Sequence, residues 1–241
     1  PFNRDPSAEY GRAVRMAPQL RRLTARNPSP MTFSGTQTYL VGEGEVAVID
    51  PGPVSAAQTQ AILGALAPGE RIGAILVTHS HVDHSPGAAA LRAATGAPVY
   101  GFGPHGAGMS DRMQALAASG ADFGGGEGAD RDFAPDEILR DGEAVEVGGV
   151  KLTALHTPGH LSNHLCFALE GGGVFSGDLI MGWATTMVSP PDGDMAAFMA
   201  SLARMAARED RVFYPGHGHP VEDPAGMIRH QTAHRRAREA Q

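Results

Sequence analysis

The chain has 241 residues, 42% of them hydrophobic, a formal net charge of -7 and one cysteine, Cys166. That is enough apolar material for a single domain-sized core, and the acidic balance gives no compositional case for a nucleic-acid binder. No apolar stretch approaches a membrane span, one cysteine excludes an intrachain disulfide, and a cytoplasmic location is expected.

In chain order, the first feature is a concentration of arginine. Six of the 19 Lys+Arg residues (Arg4, Arg12, Arg15, Arg21, Arg22 and Arg26) fall in the first 26 positions, and Lys151 is the only lysine. Residues 1–30 therefore read as a basic arm, an irregular segment packed along the domain with its arginines solvated or paired. The competing reading is an arm that holds an anionic substrate or nucleic acid. Tyr39–Val41 and Glu45–Asp50 read as a hairpin through Gly42-Glu43-Gly44, closed by Asp50-Pro51-Gly52-Pro53. Val54–Leu66 carries Ile62, Leu63 and Leu66 at helical spacing and stops at Pro68-Gly69. Ile72–Thr78 is an apolar strand, and Pro86–Thr95 an Ala-rich helix with proline in its first turn.

Beyond the strand fragment Val99-Tyr100, the stretch 104–140 is the least regular. It holds a helix near Asp111–Ala118 and a Gly-rich acidic segment, 120–132, which reads equally as a binding loop or as disorder. Strand signals return at Ala144–Val147, Val150–His156, Leu165–Leu169 and Val174–Ser176. Met195–Ala207 and Pro224–Ala240 read as helices. The alternation, with Gly 32 and Pro 18 supplying many turns, predicts a layered α/β domain over 31–223 and a closing helix over 224–241.

The chemistry is concentrated in His79-Ser80-His81-Val82-Asp83-His84, three His and one Asp within six positions directly after an apolar strand. A tight loop at a strand end aims neighbouring side chains in opposed directions, so one loop can serve two metal ions. Imidazole and carboxylate suit zinc and similar divalent ions. Three more ligand types stand at probable strand ends behind small or Gly-rich turns: His160 in Thr157-Pro158-Gly159-His160, Asp178 in Ser176-Gly177-Asp178, and His217 in Pro215-Gly216-His217-Gly218.

This ordered set resembles the metallo-β-lactamase superfamily along most of the chain. The segment Asn27–Gly42 and the terminal His234–Gln241 look closest to its β-lactamase-like protein 2 branch, in which a winged-helix domain follows the final helix. The resemblance implies a four-layer αβ/βα sandwich with the site on its rim. It also implies a glyoxalase II-like metal site: His79, His81 and His160 on one ion, Asp83, His84 and His217 on a second, and Asp178 bridging both. Two Zn2+ are expected, with Mn2+ or Fe2+ as alternatives, and a hydroxide shared between them as the nucleophile. Asp83 and Asp178 are the carboxylates assigned to catalysis. With an Asp after Ser176-Gly177 and Cys166 elsewhere, the thiolate site of the first lactamase subclasses is not matched.

Other residues carry weaker expectations. Asp50 reads either as an orienting partner of the metal loop or as a turn-forming Asp. His164 reads as packing behind the ligands. His219, where the branch has proline, reads as an exposed loop residue. His105, His156, His230 and His234 lack partner spacing and read as ordinary surface or core residues, and Cys166 as a small core residue. Trp183 is either a pocket wall or a loop anchor. Leu161-Ser162-Asn163 departs from the family pattern, which commonly has Thr or Ser and then Asp there. Three functions remain open: a hydrolase cleaving an ester or thioester of a small molecule, a single-stranded RNA endonuclease, and a mononuclear iron oxygenase resembling persulfide dioxygenases. No membrane partner is expected, and the oligomeric state is not legible.

Overall fold

The computed structural model describes residues 2–120 and 128–239. Two sheets stack face to face. The first runs in sequence order through β1 (Val14–Ala17), β2 (Leu20–Thr24), β3 (Gln37–Val41), β4 (Glu45–Ile49), β5 (Arg71–Leu76), β6 (Val99–Gly101) and β7 (Glu137–Ile138). It is antiparallel as far as β4 and parallel from there on. The second follows the order β12 (Val212–Pro215), β11 (Gly173–Gly177), β10 (Leu165–Leu169), β9 (Val150–His156), β8 (Ala144–Val147), with only the β11–β12 pair parallel.

Side-chain alternation explains the layering. In β4, Ala47 and Ile49 face the second sheet, where they meet Leu152, Ala154, Leu165, Phe167 and Phe175. Val46 and Val48 face the other way, onto Ile62 of α1 (Ala56–Gly64) and Leu91 of α2 (Gly87–Thr95). Residues two apart share a face of a strand, so a strand apolar at every position buries both faces. The outer face of the second sheet (Cys166, Val174, Phe213) is covered in the same way. Phe198, Leu202 and Met205 of α4 (Met195–Ala206) and Met227 and Ile228 of α5 (Pro224–Glu239) lie on it. The remaining helix among the described residues is α3 (Asp111–Ala118). The result is the expected four-layer αβ/βα sandwich.

Helix boundaries follow local chemistry. Asp194 caps α4, its carboxylate accepting from the Ala196 and Ala197 N–H groups. Gly96 ends α2 with φ 74, a left-handed conformation that glycine adopts at no steric cost.

The N-terminal segment differs from expectation. Rather than lying irregularly on the surface, residues 14–24 form β1 and β2, paired into the first sheet. Leu20 and Leu23 are buried, whereas Arg21 reaches across to Glu70 in a two-pronged ion pair, Nη1 at 2.7 Å and Nη2 at 3.1 Å. The Gly-rich segment falls largely outside the described residues, which omit 121–127.

Strand direction decides where the site lies. β4 and β5 are parallel; β9, β11 and β12 share one direction, because β9 and β11 are both antiparallel to β10. Their carboxyl ends gather on one rim, the usual place for sites in open α/β sheets. Three bonds tie that rim together. The Tyr39 hydroxyl donates to Pro215 O (2.8 Å), Gln37 N–H to Gly216 O (2.7 Å), and Leu165 N–H to Thr78 O (2.7 Å).

Candidate metal centre

Each of the seven ligand residues predicted from sequence sits on this rim. His79, His81, Asp83 and His84 come from the loop after β5, His160 follows β9, Asp178 follows β11 and His217 follows β12. Their donor atoms form three overlapping groups, each within 4.8 Å: His79, His81 and His160; Asp83, His84 and His217; and His79, His84 and Asp178. In the first group, His81 Nδ1 lies 3.0 Å from both His79 Nε2 and His160 Nε2. In the second, Asp83 Oδ2 is 3.3 Å from His84 Nε2 and 3.2 Å from His217 Nε2. Asp178 stands between the groups, 3.6 Å from His160, 3.4 Å from His217 and 3.5 Å from His84.

The outer ring nitrogens show why the inner ones face each other. His79 Nδ1 donates to Thr78 Oγ1 (2.9 Å), and the Thr78 hydroxyl donates on to Asp50 (2.7 Å). His84 Nδ1 donates to Asp50 (2.9 Å), His160 Nδ1 to Met187 O (2.7 Å) and His217 Nδ1 to Gly35 O (3.3 Å). Each outward bond makes Nδ1 the donor and turns Nε2 inward, the nitrogen that ligates a cation once it carries no proton. Asp178 Oδ1 is buried with no hydrogen-bond partner. Converging ring nitrogens and an orphaned carboxylate oxygen are a donor set that divalent cations satisfy, so the residues fit the metals that the resemblance implies.

Electrostatics divide the two groups. Burial holds the His81 ring down at about 3 and lowers His79 and His160. Burial also opposes charge on His217, but Asp178 and Asp83 outweigh it and lift the ring to about 9; Asp83 and Asp178 raise His84 likewise. Both carboxylates lie below the usual range despite burial, Asp83 chiefly through His84 and Asp178 chiefly through His217. The field at the Asp83 side therefore favours positive charge there.

The remaining candidates sort themselves. Asp50 acts as the orienting partner: besides His84 and the Thr78 hydroxyl, it accepts from Thr78 N–H at 2.7 Å. His164 packs behind the ligands, its Nε2 accepting from Asp178 N–H (3.1 Å) and its Nδ1 donating to Thr157 Oγ1 (2.9 Å). Trp183 stacks on Phe33 (ring centroids 4.9 Å apart) and is not part of the cleft wall. His219 donates to Asp5 O (3.0 Å), which ties the N-terminal segment down. His156 stacks flat on Phe102 at 3.8 Å.

His105 differs from its sequence reading. It joins Ser80 in the metal loop (Nδ1 to Oγ, 3.1 Å) to Asp192 (Nε2 to Oδ1, 3.4 Å), and Asn163 donates to Ser80 Oγ (3.0 Å). No spacing signal marks this set, whose members are contributed by four separate loops. The only hint was Ser80 itself, a small polar residue between two ligands and hence aimed away from them.

The centre floors a cleft of about 440 Å³. Among the described residues lining it there is no Lys or Arg.

Over residues 31–217 the sequence matches the metallo-beta-lactamase superfamily, and the chain belongs to it. It is 31% identical over 235 residues to the "Beta-lactamase-like protein 2 homolog" of Drosophila melanogaster, covering 95% of this chain and 74% of that protein. It is 29% identical over 232 residues to an "Atrochrysone carboxyl ACP thioesterase" of Aspergillus fumigatus, covering 94% of this chain and 64% of the relative. Among solved structures, a metallo-beta-lactamase family protein from Thermus thermophilus superposes with a TM-score of 0.74 at 27% identity, over 93% of this chain and 81% of that one. The protein is a metallohydrolase-type enzyme of this superfamily, and no helix among its described residues is long and apolar enough to cross a membrane.

Proposed function

We propose that the protein is a hydrolase with a binuclear, di-zinc centre that cleaves the ester or thioester bond of a small-molecule substrate. One observation carries this reading: Asp178 lies between two three-residue donor groups at the base of a cleft whose described lining presents no Lys or Arg. When bound, the two ions would supply a water-derived hydroxide near neutral pH and polarise the carbonyl oxygen. Manganese or iron(II) are the alternative metals.

The chain's own residues do the rest. His79, His81 and His160 would hold one ion, Asp83, His84 and His217 the other, and Asp178 both. Asp178 is nearly buried, with 8% of its side chain exposed, whereas Asp83 is 21% exposed and is the carboxylate more open to a substrate. Thr36 Oγ1 donates to Asp83 Oδ2 (3.2 Å) and steadies its orientation.

RNA is the weaker reading. An RNA strand brings flanking phosphates beyond the one at the metal ions, and the described wall offers no Lys or Arg to neutralise them. The thioesterase name of the Aspergillus relative favours acyl chemistry. A cytoplasmic enzyme is part of the same proposal, on the ground that Cys166 is the one cysteine of the sequence.

The test is a panel of carboxyl esters, thioesters, lactones and single-stranded RNA with zinc-loaded protein. Turnover of an ester or thioester with RNA left intact is expected. Cleaved RNA with every acyl substrate inert would overturn the reading.

A further inference from the structure

Five large hydrophobic side chains stand exposed on the described surface, and three of them, Met31, Val82 and Met187, line the cleft above the metal centre, at 53%, 45% and 47% exposure. Exposed apolar side chains gathered at the mouth of one cleft mark a binding surface. The two methionines are flexible and polarisable and accommodate ligands of varied shape. Met187 is also coupled to the centre, because its carbonyl accepts the His160 Nδ1 hydrogen bond.

The polar side of the cleft is equally specific. Apart from the metal-ligating residues, Asp192 is the one charged residue among the described residues lining it. It is 9% exposed and held from behind: Asn163 Nδ2 donates to Ser80 Oγ, Ser80 Oγ lies 3.1 Å from His105 Nδ1, and His105 Nε2 lies 3.4 Å from Asp192 Oδ1. If each proton runs the same way along this chain, His105 presents its Nε2–H to the carboxylate, and the line ends on a fixed negative charge. The His105 imidazole holds the carboxyl below the usual carboxylate range, with the more distant Arg131 adding a weaker pull.

We infer that Asp192, positioned by His105, is a specificity residue that makes the cleft accept uncharged, apolar acyl groups and reject acyl groups carrying a carboxylate. The inference rests on the acyl-hydrolase reading above and narrows it to a substrate class. An anionic acyl chain would have its distal charge placed among Met31, Val82 and Met187, in the same cleft as the fixed charge of Asp192, which no metal ion would neutralise. A like charge within one cleft, part-screened by solvent, weakens binding by about tenfold or more.

The test uses two para-nitrophenyl esters, the hexanoate and the half-ester of adipic acid, which differ only in a distal methyl or carboxylate. Zinc-loaded wild type is expected to favour the hexanoate in kcat/KM, and Asp192→Asn to shrink that preference about tenfold. Raised salt should shrink the preference in wild type and leave it nearly unmoved in Asp192→Asn. The same preference is read without chemistry from binding of hexanamide and adipic acid monoamide to metal-free protein, followed by ligand-observed NMR. An ester ratio and an amide ratio both unchanged by Asp192→Asn would overturn the inference. Ester inertness of the wild type would instead count against the acyl-hydrolase reading, and the amide pair would still decide the role of Asp192.

Discussion

Asp50 Oδ2 accepts the Nδ1–H of His84 at 2.9 Å, and the same oxygen takes the Thr78 hydroxyl at 2.7 Å. Asp50 directly follows β4 with φ 49, so a left-handed backbone at a non-glycine residue aims its carboxylate under the metal loop. One side chain thereby orients a second-group ligand directly and a first-group ligand, His79, through Thr78. Partners of this kind set ligand tautomer and basicity.

Replacing Asp50 by Ala should lower zinc affinity about 10–100-fold, with Asn intermediate because it keeps one acceptor oxygen. Chelator competition measures the affinity, and circular dichroism checks that the fold persists. Unchanged affinity in the Ala variant would remove Asp50 from the metal-orienting network.

Asp178→Asn tests the shared carboxylate. The neutral amide cannot balance two cations, so zinc content should drop from two towards one per chain and kcat by about 10³ or more. The loss in metal should be visible by elemental analysis before any substrate is known.

Gly216 gives a steric test that leaves all ligands in place. A Cβ there would lie 2.5 Å from Asp178 Oδ1 and 2.6 Å from His84 Cε1. Gly216→Ala should therefore disturb both residues and cut metal occupancy, whereas Gly64→Ala, whose Cβ meets nothing within 4 Å, should leave it intact. Equal zinc content in the two variants would contradict the crowding argument.

Cys166 is fully buried, and burial pushes its thiol up to about 12; burial raises the Tyr39 hydroxyl as well. In the unfolded chain the thiol ionises near ~8.5. Its contribution is thus fully present below about pH 8.5 and is lost as pH rises towards 12, by up to about 1.4 kcal/mol per pH unit. Denaturant titrations at rising pH should show this decline in wild type and a shallower one in Cys166→Ala. The native thiol should also resist alkylation at pH 7.5 until the protein is unfolded.

The seven candidate ligands were legible as an ordered set of motifs that resembles the family's, each at a probable strand end beside a small or turn residue; the structure brings their donor atoms onto one rim. The burial of β5 was legible as the apolar run Ile72–Thr78, and the β3–β4 hairpin as two strands around Gly42-Glu43-Gly44. β1 and β2 were not, because Arg21 and Arg22 interrupt the apolar pattern and the Arg21–Glu70 pair that accommodates one of them spans 49 positions. The His105–Asp192 contact escaped for a related reason: it is made by loops that only the packed rim brings together, and no local period encodes it. The Asp50 alternatives were separable only once Thr78 and His84 were seen around its carboxylate.

The most direct test of the binuclear claim is elemental analysis of the protein purified without added metal. Close to two divalent ions per chain, zinc foremost, is the predicted result. A single iron per chain, with none gained on incubation with zinc, would contradict the account and point to oxygen chemistry at the His79, His81, His160 and Asp178 side alone.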